Sequence, residues 1–233
     1  MTDSSEKPWV DGLTFGEVLS RTVSQQPHHD AIVFVDLDQR WTYAQFAEEV
    51  QAVARSLISL GIQPGDHVGI WATNWPQWVF AQFATGQMGA VLVNVNPAYR
   101  PKELAYILKQ ADLRALILTD RYKTSDYEEM VAQVVPELRT IRPGDPIASR
   151  DFPLLRHVIS IKTNPSLRGI WSWAEFIARA DLVAADQVEF LRVRRSIRPE
   201  MPVNIQYTSG TTGDPKGAML SHRNLLMNAY YVG

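Results

Sequence analysis

The chain has 233 residues, of which 45% are hydrophobic and 21% charged, and its formal net charge is −2. These are the proportions of an ordinary globular protein, and the small charge excludes a strong general attraction to nucleic acid or to an anionic membrane. The sequence contains no cysteine, which excludes disulfides, thiolate metal sites and a cysteine nucleophile. The N-terminus carries Asp3 and Glu6 and has no basic start followed by an apolar run, which favours a cytoplasmic location.

Helix and strand patterns alternate along the chain. Three capping boxes each predict the start of a helix: Thr14 with Glu17, Thr42 with Gln45, and Ser172 with Glu175. Short apolar runs predict strands at Ala31–Val35, His67–Trp71, Ala90–Val95, Ala115–Thr119 and His157–Ile161. Repeated units of this kind predict an α/β fold, in which parallel-rich sheets carry helices on both faces. The Pro-, Gly- and charge-rich segment Pro136–Pro153 is predicted to be a surface excursion.

Two stretches raise the question of a membrane or a nucleic-acid partner. His67–Tyr99 contains no Asp, Glu, Lys or Arg, but its Asn, Gln and Pro residues interrupt it too often for a spanning helix, so a buried strand, helix and strand are predicted. Arg192–Arg198 contains four arginines. A solvated connector is favoured over a basic patch there, because no aromatic residues are interleaved and no nucleic-acid-binding motif surrounds it. We therefore expect no transmembrane segment and no nucleic-acid partner.

The stretch Tyr207–Gly217, "YTSGTTGDPKG", has a composition suited to a polyphosphate. Glycines let backbone amides approach oxygen closely, successive amides form an anion-binding concavity, and a lysine offers a mobile positive charge. The candidate phosphate-binding residues are Thr208, Ser209, Gly210, Thr211, Thr212, Gly213 and Lys216. From composition alone, a surface turn without a ligand explains the stretch equally well.

The stretch is not a Walker A loop, because Gly210 and Gly213 are too close together and no Ser or Thr follows Lys216. Val203–Tyr207 alternates and predicts a strand before the loop. Ala218–Leu220 predicts a second strand, with a helix starting near Ser221. Phosphate would then be held by a loop between two strands and not by a helix terminus.

The ordered sequence of this loop resembles the phosphate-loop signature of the adenylate-forming (AMP-binding) superfamily: acyl-CoA synthetases, luciferases and peptide-synthetase adenylation domains. Further segments are similar to that superfamily in the same order, namely Trp41–Phe46, Gly61–Trp78, Gly89–Leu108 and Ser221–Gly233. "NVNPAYRPKEL" and "KTSDY" (Lys123–Tyr127) look most like the medium- and long-chain fatty-acyl-CoA synthetase branch. The resemblance covers effectively the whole chain.

The resemblance implies a two-step reaction that uses ATP, Mg²⁺ and coenzyme A. A carboxylate attacks the α-phosphate of ATP and expels pyrophosphate, and the thiol of coenzyme A then captures the acyl-adenylate. Thr208–Gly213 would line the β- and γ-phosphates, Thr208 would contribute to the Mg²⁺ site, and Lys216 would be the catalytic cation on the leaving pyrophosphate.

The same resemblance implies that residues 1–233 are a partial N-terminal adenylation domain ending after the phosphate loop, without the C-terminal domain. No Asp or Glu follows Gly217, so the family's metal-binding glutamate has no counterpart in the sequence. The adenine, acyl and coenzyme A sites would lie outside these residues, and the chain alone is expected to be inactive. Two alternatives stay open: a non-catalytic truncated module that binds nucleotide weakly or binds a complementary fragment, and a ligase for an aryl acid or an amino acid.

Overall fold

The structure is a computed structural model, and it describes residues 7–142, 144–162, 164–183, 197–208 and 214–232. Within these ranges the helices are α1 (Phe15–Gln25), α2 (Tyr43–Ser59), α3 (Pro76–Met88), α4 (Pro101–Gln110), α5 (Tyr127–Val134), α6 (Trp173–Ala178) and α7 (His222–Val232). Short 3₁₀ turns lie at Val35–Leu37, Pro136–Arg139 and Arg179–Leu182.

The described strands form one large sheet and two small antiparallel ribbons. The strands of the large sheet are β3 (His67–Trp71), β4 (Val91–Asn94), β5 (Leu113–Leu118), β8 (His157–Ser160), β9 (Ile170–Ser172), β10 (Pro202–Thr208) and β11 (Lys216–Ser221). The ribbons are β1 (Asp30–Phe34) with β2 (Gln39–Thr42), and β6 (Arg121–Tyr122) with β7 (Ser125–Asp126).

The large sheet has seven strands in the order β11-β10-β4-β3-β5-β8-β9. All neighbouring pairs are parallel except β10 with β11, which pair antiparallel as a hairpin at one edge. Helices α2 and α3 pack on one face with α1 and α6, and α4 and α5 pack on the other. The predicted α/β fold with helices on both faces is confirmed.

The local sequence signals placed most of the elements correctly. All three predicted capping boxes are present, at Thr14, Thr42 and Ser172. Gly61 follows α2 with a φ of +83°, the left-handed conformation that ends a helix without steric cost when the residue is glycine. The uncharged stretch forms β3, α3 and β4, as predicted. None of the helices in the described ranges has the length and hydropathy needed to span a bilayer.

Two sequence predictions need correction. Pro136–Pro153 is not only a surface excursion, because Leu138, Ile147 and Phe152 are buried in the core beneath α4 and α5. These apolar side chains are scattered among Pro and charged residues, so no periodic pattern marks them. Strand β10 does not alternate: Val203, Asn204 and Ile205 are all buried, since a bulge interrupts its pairing with β11. The prediction of a connector at Arg192–Arg198 falls mainly on residues outside the described ones.

Candidate active site at the carboxyl edge of the sheet

The predicted phosphate loop connects the two strands of the β10–β11 hairpin. Thr208 is the last residue of β10, Lys216 is the first of β11, and the two are paired in the antiparallel register. The Thr208 hydroxyl donates to the Lys216 carbonyl oxygen at 3.5 Å. The structure therefore brings these two predicted site residues together. The other predicted phosphate-binding residues, Ser209, Gly210, Thr211, Thr212 and Gly213, lie outside the described residues.

The tip of this hairpin extends beyond the rest of the sheet. β10 pairs with β4 only through Asn204, Ile205 and Gln206, whereas its pairing with β11 continues to Thr208. Lys216 is exposed at this tip, and no carboxylate of the described residues forms an ion pair with it.

A cleft of about 620 Å³ lies beside the hairpin, at the carboxyl ends of β3, β4 and β10. Its walls include amide and hydroxyl side chains (Thr73, Asn74, Asn94, Asn96, Gln206) and aromatic side chains (Trp78, Tyr122, Tyr207). The chain turns to opposite faces of the sheet after β3 and after β4, since α3 and α4 lie on different faces. Ligands of open α/β sheets bind in the crevice at such a position.

One wall of the cleft, the loop after β4, is held by two stacked aromatic side chains. Trp71 and Tyr127 are fully buried, and their rings are parallel within 3° with centroids 4.1 Å apart. Trp71 Nε1 donates to the Asn96 carbonyl oxygen at 3.1 Å, and the Tyr127 hydroxyl donates to the Pro97 carbonyl oxygen at 2.6 Å. Burial raises the pKa of Tyr127, so its hydroxyl stays protonated and remains a donor.

These contacts involve the segments whose sequences resemble fatty-acyl-CoA synthetases. Asn96 and Pro97 belong to "NVNPAYRPKEL", and Tyr127 ends "KTSDY". Within the second segment, Asp126 caps α5 by accepting from the Glu129 amide. Asn96 and Pro97 of the first segment form the wall of the cleft. Tyr127 of the second segment holds that wall in place through its hydrogen bond to Pro97.

Beneath the cleft, buried amide side chains link β10 to its neighbours. Asn204 Nδ2 donates to Gln82 Oε1 on α3 at 2.7 Å and to Asn94 Oδ1 on β4 at 3.3 Å. Among the described residues, Asn204 Oδ1 and Gln82 Nε2 are buried and have no hydrogen-bond partner. The network fixes the base of the hairpin against α3 and β4.

The far end of the hairpin is anchored through α7. Ser221 and Asn224 cap this helix reciprocally, each side chain accepting from the other residue's amide. His222 is buried, and its Nδ1 accepts from the Phe15 amide at 3.2 Å. Burial lowers the pKa of His222 to about 4, opposed by the nearby Glu17 carboxylate. Neutral His222 thus ties β11 and α7 to the start of α1.

The described residues contain no cluster of three or more His, Asp or Glu side chains that could hold a metal ion. The sequence analysis did not identify the residues that brace the loops. Their contacts are long-range and leave no local pattern.

A mostly parallel sheet with a glycine- and hydroxyl-rich loop at its carboxyl edge is the architecture of adenylate-forming enzymes. A family model described as "AMP-binding enzyme" matches residues 19–233, and the chain belongs to this family.

Two curated relatives illustrate the similarity. YngI of Bacillus subtilis, whose name assigns it provisionally to the acyl-CoA synthetases, is 42% identical over 216 residues, which are 93% of this chain and 39% of YngI. The human mitochondrial medium-chain acyl-CoA ligase ACSF2 is 38% identical over 228 residues, which are 97% of this chain and 36% of ACSF2. The chain thus spans less than two fifths of the length of these relatives.

Solved structures share the fold at lower identity. The anthranilate CoA ligase AuaEII, in complex with anthranoyl-AMP, matches with a TM-score of 0.71 and 24% identity over 98% of this chain and 38% of its own. The N-terminal domain of FACL13 from Mycobacterium tuberculosis matches with a TM-score of 0.63 and 22% identity over 90% of this chain and 44% of its own.

Proposed function

We propose that the protein carries the ATP-phosphate-binding part of a fatty-acyl-CoA synthetase, an acid–thiol ligase. The observation that carries this proposal is the β10–β11 hairpin, which pairs the exposed Lys216 with Thr208 on either side of the loop, beside the cleft. Family membership and the acyl-CoA ligase names of the relatives support it.

In the first reaction step, a carboxylate oxygen of the acid forms a bond to the α-phosphorus of ATP. The bond from that phosphorus to the bridging oxygen breaks, and pyrophosphate leaves with the electron pair. In the second step, the thiol sulfur of coenzyme A bonds to the acyl carbon and loses its proton to solvent. The bond from the acyl carbon to the phosphate oxygen breaks, and AMP leaves with the electron pair. No cysteine is required of the protein, because the thiol belongs to the substrate.

Lys216 and the loop act where negative charge develops, on the leaving pyrophosphate. Preorganised donors aimed at a developing charge are an effective source of rate enhancement. The amides and hydroxyls of residues 208–213 would bind the β- and γ-phosphates, with Lys216 as a charged donor. Mg²⁺, when bound, neutralises phosphate charge, and Thr208 would be its ligand on this chain.

We place the acid in the medium- or long-chain fatty-acid class. The similarity to human ACSF2 and the two resembling segments support this choice. An aryl acid or an amino acid is the alternative substrate, and a non-catalytic nucleotide-binding module is the alternative function.

Exchange of labelled pyrophosphate into ATP tests the proposal, with the whole polypeptide that carries these residues. Fatty acids of increasing chain length should stimulate exchange more than benzoate, coumarate or amino acids. Stronger stimulation by aryl or amino acids would overturn the acid class. Weak nucleotide binding without exchange for any acid would support the non-catalytic alternative.

Residues 1–233 alone are proposed to form no acyl-adenylate. A loop that binds only pyrophosphate stabilises the leaving group of the transition state. Without protein residues that bind the adenine and the acid, the attacking side is not stabilised. Measurable exchange by a monomeric preparation, verified by light scattering, would show instead that the site is complete within these residues.

A further inference from the structure

The tip of the β10–β11 hairpin lacks support from the sheet itself. Beyond Gln206, β10 has no pairing with β4, and the described partner of β11 is β10 alone. An unsupported two-stranded ribbon is marginally stable in water. The tip therefore needs other contacts if Thr208 and Lys216 are to keep fixed positions.

Helix α4 supplies one such contact to each side of the loop. The Tyr207 hydroxyl donates to Gln110 Oε1, fixing the residue before Thr208. The Tyr106 hydroxyl donates to the Pro215 carbonyl oxygen at 3.2 Å, fixing the peptide group that leads into Lys216. Tyr106 and Gln110 are four residues apart, so they lie on the same face of the helix.

The geometry around Tyr207 is built for this contact. The Tyr207 ring crosses the hairpin against Gly217, where an added Cβ would lie 3.3 Å from Tyr207 Cζ and 2.9 Å from Ile205 Cγ2. A side chain at position 217 would therefore crowd the ring. Burial raises the pKa of Tyr207 to about 12, and the neighbouring Tyr106, Tyr99 and Asp112 act in the same direction. The hydroxyl stays protonated and can donate throughout the physiological range.

We propose that Tyr106 and Gln110 are positioning residues for the phosphate loop, holding its two ends against α4 so that Thr208 and Lys216 face the same ligand. This role rests on the proposed function for its ligand, but the two contacts can be tested without one. Both residues act through the loop, which is proposed to bind the terminal phosphates. Changing them should therefore weaken the binding of a nucleoside triphosphate and leave the affinity for a nucleoside monophosphate unchanged.

Amide hydrogen exchange on the full chain tests the contacts themselves. Tyr106→Phe should speed exchange severalfold at the amides of residues 214 and 216–218, and Gln110→Leu should do the same at residues 207 and 208. Gln110→Glu keeps an acceptor for the Tyr207 hydroxyl and should retain the slow exchange. Tyr99→Phe is the matched control, because it removes a tyrosine hydroxyl but leaves the Tyr106–Pro215 and Gln110–Tyr207 hydrogen bonds in place. Unchanged exchange in both Tyr106→Phe and Gln110→Leu would overturn the proposal.

Equilibrium titration of the whole polypeptide that carries these residues, with MgATP and with AMP, tests the consequence for binding. Loss of one neutral hydrogen bond should weaken MgATP binding by about two- to tenfold, with AMP binding unchanged. Faster exchange with equal MgATP affinity, or an equal loss for both nucleotides, would reduce Tyr106 and Gln110 to structural residues and overturn the positioning role. If the unaltered whole polypeptide binds neither nucleotide, the proposed function fails, and the exchange data still decide whether α4 holds the loop.

Discussion

The loop after β4 and the loop after β10 lie at the same edge of the sheet but are held in different ways. The first is fixed from below by Trp71 and Tyr127, which are both fully buried. The second is contacted at its ends by the partly buried Tyr106 and the exposed Gln110 of α4. One wall of the cleft thus rests on the core, whereas the hairpin side is held by hydrogen bonds to helix α4 nearer the surface.

The largest effect is expected where the fixed wall is removed. Trp71→Ala deletes a fully buried indole and should lower the free energy of unfolding by about 3–5 kcal/mol, as measured by urea denaturation. Trp9→Ala removes an exposed indole that contacts Arg21 and should cost less than about 1 kcal/mol. Equal losses of unfolding free energy for the two variants would mean that Trp71 contributes no more to stability than an exposed tryptophan.

The contact of His222 at the far end of the hairpin should make the free energy of unfolding depend on pH. Burial lowers the pKa of His222 to about 4, whereas its value in the unfolded chain is about 6.5. Between these values the unfolded state binds more protons, so stability rises with pH through this window and is lost as pH falls from about 6.5 to 4. The full contribution of His222 is up to about 3 kcal/mol.

His157 titrates in the same window, because burial lowers its pKa to about 4 as well. Urea denaturation at closely spaced pH values should therefore show the slopes of both groups. His222→Asn should keep an acceptor for the Phe15 amide and reduce the slope by up to about 1.4 kcal/mol per pH unit. A slope identical to that of the unaltered chain would show that His222 does not anchor the hairpin.

A smaller effect, on ligand binding alone, is expected at the β10–β11 hairpin. Lys216→Ala should weaken MgATP binding by about 1.5–3 kcal/mol through loss of a charge-assisted hydrogen bond. Urea stability should change little, since Lys216 is exposed. Lys102→Ala, an exposed lysine on α4, is the control and should leave MgATP binding unchanged. If both variants bind MgATP as the unaltered chain does, Lys216 is not part of the site.

The smallest expected change separates the stacking of Tyr127 from its hydrogen bond. Tyr127→Phe keeps the ring against Trp71 and removes the donor to the Pro97 carbonyl oxygen. The expected loss is about 0.5–1.5 kcal/mol of unfolding free energy, measured as for Trp71→Ala. A loss as large as that of Trp71→Ala would mean that the hydrogen bond and not the stack holds the wall.

Sequence alone predicted the fold well where the signal is local. Capping boxes such as Thr14 with Glu17 involve residues three apart, and buried parallel strands appear as uninterrupted apolar runs such as His67–Trp71. The strand order could not be predicted, because it depends on which strands meet across the sheet. The buried Leu138 was missed because its neighbours in sequence are polar.

Only the part of the candidate site that lies in one continuous segment could be predicted from the sequence. The ordered sequence of the loop and its family resemblance indicated Thr208 and Lys216 as site residues, and the hairpin places them side by side. The bond from Tyr106 to Pro215 joins residues 109 positions apart, and that from Asn204 to Gln82 joins residues 122 apart. Neither pair has a sequence pattern that would reveal it.

The buried amide of Asn204 has a consequence for how β10 finds its partner during folding. In the native alignment, Asn204 lies opposite Leu92 and bonds to Gln82 and Asn94. A shift of β10 by one residue would turn this amide towards the apolar α4 face, where burial without a hydrogen bond costs about 1–3 kcal/mol. Asn204 therefore favours the native register of β10 over the shifted one. That register determines how far the hairpin, with Lys216, extends beyond the edge of the sheet.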